Sequence, residues 1–136
     1  MRQQTVAILL GLVFVGAAFA AEYDADVAIY GGTSSAIAAA VQVARMGHSV
    51  VVVSPDTHLG GLSSGGLGWT DTGKKEVIGA IALEFYQRAG KKYGRDIEWM
   101  PEPRVAEAIL NEMIAEAKTI TVLLNHRLKE KSGVKK

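Results

Sequence analysis

The sequence contains no cysteine. That single absence removes disulfides, thiolate metal sites and cysteine nucleophiles together. It says nothing of compartment, because an exported protein can do without disulfides. Neither sign of charge is in surplus: 15 Lys and Arg stand against 14 Asp and Glu, a formal +1. Such a balance points to no nucleic acid and no acidic polymer as partner. No apolar run reaches the roughly 20 residues that span a bilayer. The longest, Val6 to Phe19, has 14, so no stable membrane anchor is expected. There is no internal repeat and no domain linker. What is present is a hydrophobic content of 49% and 15 glycines in 136 residues. That suffices for a core of one domain or less.

Residues 1–20 read as a targeting segment. Arg2 supplies a short positive start, the apolar run follows, and Ala18-Phe19-Ala20 has the A-x-A form of a cleavage site. A single arginine argues against a twin-arginine signal. The expectation is a cleaved signal peptide and an exported, periplasmic or secreted, product beginning at Ala21.

The rest alternates short apolar runs with helical patterns. Asp26 to Tyr30 predicts a buried strand ending in Gly31-Gly32. Ser34 or Ser35 is suited to cap a helix over Ala36–Met46, which is rich in alanine and stopped by Gly47. Ser49 to Val53 predicts a second buried strand ended by Pro55. Two buried strands around one helix make a right-handed βαβ unit with a parallel sheet. A loop from Asp56 to Lys75 follows, with glycines at 60, 61, 65, 66, 68 and 73. Loops of that length are often functional. A helix is expected over Val77–Ala89, broken by Gly90 and Gly94. Another should begin at Pro103 and carry Val105, Ile109 and Met113 on one face to about Lys118. Ile120 to Leu124 predicts a third strand, and Ser132-Gly133 a turn. The fold class is α/β, a parallel Rossmann-type sheet.

The chemistry concentrates in Gly31-Gly32-Thr33-Ser34-Ser35-Ala36, between strand and helix. A helix N-terminus offers free N–H groups and a partial positive charge to a pyrophosphate. The usual dinucleotide pattern is G-x-G-x-x-G/A. Gly31 and Ala36 fit its first and last positions, while Thr33 stands where the second glycine usually sits. A β-carbon there is expected to point toward the phosphates. At the end of the second strand an acid commonly holds the ribose hydroxyls. Ser54 takes that place, with Asp56 the nearest acid. No arginine follows in the loop to accept a 2′-phosphate, so NADP is not indicated.

The continuation separates FAD from NAD. His58-Leu59-Gly60-Gly61, then Ser63-Ser64-Gly65-Gly66-Leu67-Gly68, then Thr70-Asp71 resembles the FAD-dependent oxidoreductases of the glutathione-reductase-like fold. It is most similar to an exported bacterial branch, some of whose members are labelled xanthan lyases. The resemblance spans about residues 24 to 134. It implies FAD as cofactor, with Gly60-Gly61, Ser63 and Ser64 along the pyrophosphate and ribityl side. It also implies an adenine contact through backbone near Leu128, after Leu123-Leu124-Asn125-His126-Arg127. Members of that family add a substrate domain and a late strand closing the flavin site. Residues 21–136 are therefore expected to be the N-terminal part of the FAD-binding domain, incomplete at its C-terminus. The missing C-terminal domain of the same protein is the expected partner. Catalytic residues and the small-molecule substrate are not named by this stretch.

Other residues read as structural. His58 has no partner carboxylate near it in sequence. Asp71 and Glu76 lack the pairing of glycosidase or lyase chemistry, and no metal set is present. Trp69 is expected to fill core, and the charged faces of the two later helices to be solvated. Two alternatives stay open: a non-catalytic dinucleotide-binding fragment, and a polysaccharide lyase-related protein.

Overall fold

The computed structural model describes residues 21–131. The expected signal peptide and the Ser132-Gly133 turn lie outside the described residues. The element order is β1 (Val27–Tyr30), α1 (Ser34–Arg45), β2 (Val50–Val53), α2 (Ala80–Lys92), α3 (Pro103–Ala115) and β3 (Ile120–Leu123). Two single turns of 3-10 helix, Gly61–Ser63 and Lys75–Val77, lie between β2 and α2.

The three strands form one parallel sheet in the order β1-β2-β3. Val27, Val50 and Ile120 share one row, and Ile29, Val52 and Val122 another. Strand side chains alternate between faces, so these two rows face the same way. They pack against Ala40 and Val43 of α1. Deeper in the helical layer, Ile37 and Val41 of α1 meet Ile109, Leu110 and Met113 of α3, with Leu59 and Ala89. The opposite sheet face carries Ala28, Tyr30 and Thr121, all exposed. Tyr30 keeps 56% of its surface.

Helix limits differ from the periodicity in instructive ways. The α1 N-cap is Thr33, not Ser34 or Ser35: its Oγ1 accepts the Ala36 N–H at 3.2 Å. Gly47 does end the helix, at φ +87°. Helix α2 begins at Ala80, after the turn at Lys75–Val77, and runs through Gly90 to Lys92. Gly90 is no breaker: a β-carbon there would lie 2.6 Å from the Asp96 carbonyl carbon and the Ile97 nitrogen. The bare glycine lets segment 95–97 cross the helix. Gly94, at φ +70°, is where the chain turns away. Helix α3 stops at Ala115 rather than Lys118.

The charged helix faces are not simply solvated. Glu84 of α2 accepts from Arg45 of α1 at 2.8 Å and from Arg88 at 2.7 Å, while Arg88 reaches Glu116 at the end of α3 at 2.7 Å. The arginines hold the Glu84 carboxyl below its ordinary value of 4.5, Arg45 contributing most. Arg88 does the same to Glu116. A carboxyl lowered in the folded state stabilises the fold above its unfolded value, and loses that contribution as pH falls through the folded one. Glu84→Gln is therefore expected to cost roughly 1 kcal/mol at pH 7. The difference from wild type should shrink steadily below about pH 4.5. Urea unfolding at a series of pH values measures it; a gap that is constant with pH would contradict the ion-pair account.

Candidate cofactor site

The site lies at the C-terminal ends of β1 and β2. β1 ends at Tyr30, and Gly31 turns the chain at φ +114° while its N–H donates to Val53 O at 2.8 Å. That region of backbone space strains any residue with a β-carbon. Gly32 serves differently. A β-carbon at 32 would lie 2.7 Å from Ser54 Oγ and 3.0 Å from Leu59, so its bareness lets the loop settle onto buried neighbours. Thr33 is extended, with φ −70° and ψ 164°, and opens α1. Beyond it, the Ser34 N–H is directed at the Gly60 carbonyl across the Thr33–Gly60 bridge. The Ser35 N–H makes no hydrogen bond among the described residues and is a free donor at the positive end of a helix dipole. Ala36, buried, begins the helical core.

The second glycine segment folds back onto this loop, although it is 29 residues away in sequence (60 − 31). The Gly60 N–H donates to Gly32 O at 2.6 Å, and Thr33 and Gly60 form a parallel bridge. Gly60 has φ +108° and Gly61 φ +54°. Ser64 hydrogen-bonds back to Leu59 O, which closes the turn. Ser63 stays exposed beside it. Loop 31–36 and doublet 60–61 thus form one surface of backbone.

Thr33 lies beside the doublet. Its side chain faces the doublet: a β-carbon on Gly61 would lie 3.4 Å from Thr33 Cγ2. Its hydroxyl is engaged by the Ala36 N–H and, at 2.9 Å, by Ser35 Oγ.

Ser54 is fully buried. Its Oγ accepts the Asp56 N–H at 3.2 Å, so the hydroxyl is turned inward in this structure and is not presented to a ribose. The end of β3 is tied in as well. His126 N–H donates to Ser54 O at 3.0 Å and Asn125 N–H to Asp56 O at 3.2 Å. Asn125 takes the left-handed φ of +59° that this crossing requires. Leu128 follows three residues later, 48% exposed.

A cleft of about 250 Å³ opens from Ser34 and Ser35 between α1 and α2, lined by Ile81, Phe85 and Met113. A second, of about 200 Å³, continues past Ser63 to Trp69 and Asp71. The two share Ser63, Phe85 and Tyr86. Trp69 is not core: it keeps 66% of its surface. His58 does have a partner, Glu107 of α3, with Nδ1 2.8 Å from Oε1. The 49-residue separation hid that pair from a reading along the chain.

The profile of the FAD dependent oxidoreductase family matches residues 26–136. The chain belongs to that family, and FAD is its cofactor. No curated protein matches. Two solved structures are similar at low identity. One is histamine dehydrogenase from Rhizobium sp. 4-9, 12% identical with a TM-score of 0.45, covering 82% of this chain and 13% of that one. The other is THI4 from Thermovibrio ammonificans, 20% identical with a TM-score of 0.46, covering 80% of this chain and 43% of that one. The chain spans less than half the length of either.

The residues present suit FAD. A free helix N–H group and exposed glycine backbone provide what a pyrophosphate needs, and no acidic side chain stands within loop 31–36 to repel it. Bound flavin would supply the redox chemistry; the polypeptide supplies binding and orientation.

Proposed function

We propose that this chain is the FAD-binding portion of an exported flavin-dependent oxidoreductase whose substrate domain lies outside these 136 residues. The observation that carries the reading is the docking of Gly60-Gly61 on the phosphate loop, through the Gly60 N–H to Gly32 O bond of 2.6 Å. A second glycine turn lying against the first is a device for a long, two-phosphate cofactor. Ser35 would meet the pyrophosphate with its N–H group. The adenosine half would run toward Ser54 and Leu128, with backbone rather than the buried Ser54 hydroxyl making the contact. The flavin half would follow Ser63 and Ser64 toward the cleft bounded by Phe85 and Trp69. No proton-transfer residue is assigned. Exposed Leu62, Leu67, Trp69 and Val77 form the rim on which the remainder of the protein would close.

Completed with its remaining domain, the protein should purify yellow or take up FAD on titration, with the exported form beginning at Ala21. A colourless protein that binds NAD tightly and ignores FAD would overturn the choice of FAD over NAD.

A further inference from the structure

Position 33 departs from the glycine that dinucleotide loops usually carry, and its geometry gives the departure a purpose. We infer that Thr33 is a positioning residue whose methyl group holds the Gly60-Gly61 doublet against the phosphate loop, so that both segments meet the FAD phosphates as one preformed surface. The cofactor in this inference rests on the function proposed above; the contact rests on geometry alone.

Thr33 has two substituents on its β-carbon, and each has one task. Oγ1 is directed to the helix side, where the Ala36 N–H at 3.2 Å and Ser35 Oγ at 2.9 Å engage it. A β-branched side chain has few χ1 choices, so fixing Oγ1 also fixes Cγ2. Cγ2 then faces Gly61. A β-carbon built on Gly61 would stand 3.4 Å from Cγ2, 3.5 Å from Thr33 Cα and 3.6 Å from Thr33 Cβ. Gly61 therefore lies beside Thr33, at a separation that would leave a β-carbon on it in ordinary van der Waals contact. The doublet's backbone is tied to the phosphate loop by the Gly60 N–H to Gly32 O bond and the Thr33–Gly60 bridge. Gly60 and Gly61, at φ +108° and +54°, belong to the residue type that loses most freedom on ordering. A contact that orders them before the cofactor arrives removes that cost from binding.

The test uses the completed protein, with its remaining domain, and two variants. Thr33→Gly restores the usual loop glycine and deletes the methyl group. Glycine is nearly as good an N-cap as threonine, so this variant folds. Thr33→Val keeps the methyl and deletes the cap. Without FAD, amide exchange at Gly60, referenced to Val52 in the core, should quicken about tenfold in Thr33→Gly and stay close to wild type in Thr33→Val. On titration with FAD, Thr33→Gly should bind about tenfold more weakly and Thr33→Val nearly as tightly as wild type, although less stable. The opposite expectation follows if position 33 only needs to be small for the phosphates: Thr33→Gly would then bind as tightly or more tightly. That result overturns the inference. So does unchanged Gly60 exchange in Thr33→Gly, or loss of FAD affinity in Thr33→Val equal to that in Thr33→Gly. A completed wild-type protein that shows the exchange pattern but takes up no FAD supports the contact and refutes the cofactor reading.

Discussion

Gly31→Val is expected to cut FAD affinity by at least about tenfold, the equivalent of 1.4 kcal/mol, in the completed protein. The reason is conformational. Gly31 holds φ +114°, and a β-carbon there meets nothing within 4 Å. The first carbon of a valine side chain would therefore not collide with the protein. Valine would have to hold a backbone state that costs a side-chain-bearing residue on the order of 1–3 kcal/mol. A β-branched residue stands at the upper end. The loop can relieve the strain only by rotating, which lifts the Ser35 N–H group out of line with the phosphates. The cost divides between stability and affinity. FAD titration, run beside urea unfolding of the same variant, separates the two. Gly31→Ala should shift both in the same direction by less. If Gly31→Val binds FAD as wild type does, loop 31–36 is not the phosphate site, and the functional proposal loses its foundation.

Gly90→Ala should destabilise the fold by about 1–3 kcal/mol, the range of an overpacked core. Helix propensity alone has the opposite sign: alanine is favoured over glycine inside a helix by about 1 kcal/mol. Tertiary contact decides. The new methyl would stand 2.6 Å from the Asp96 carbonyl carbon and the Ile97 nitrogen, and 2.7 Å from Arg95 O. All three are backbone atoms, so no rotamer change relieves the overlap. Relief requires segment 95–97 to lift from α2. That would strain the Arg95 N–H to Gly90 O bond of 2.9 Å and the Glu98 N–H to Tyr86 O bond of 3.1 Å. It would also move Trp99 from its contact with Tyr86, where the ring centroids are 4.8 Å apart. Urea unfolding gives the free energy, and tryptophan fluorescence of the folded state should change with it. A variant more stable than wild type would mean that the crossing is looser than described.

The βαβ unit was legible along the chain because its determinants are local. Four valines between Ser49 and Ser54, an alanine-rich stretch closed by Gly47, and Gly31 after an apolar run each dictate backbone geometry over a few residues. The same holds for the phosphate loop and for the presence of a second glycine motif, which needs only residue type and order. These suffice for the α/β class and, through the resemblance, for the family. The remainder depended on pairs distant in sequence. Nothing in Thr33 itself announces its neighbour; only the return of the chain 27 residues later (60 − 33) sets it against Gly60-Gly61. A lone glycine such as Gly90 suggests a helix break, because it carries no sign of the segment that crosses it. His58 gained Glu107, and Glu84 gained Arg45, from separate helices. Ser54 stands where sequence puts a ribose contact, yet packing against Gly32 turns its hydroxyl inward. Local backbone preference is written in each residue; which side chain meets which is settled when helices close over the sheet, and that is where the site took its shape.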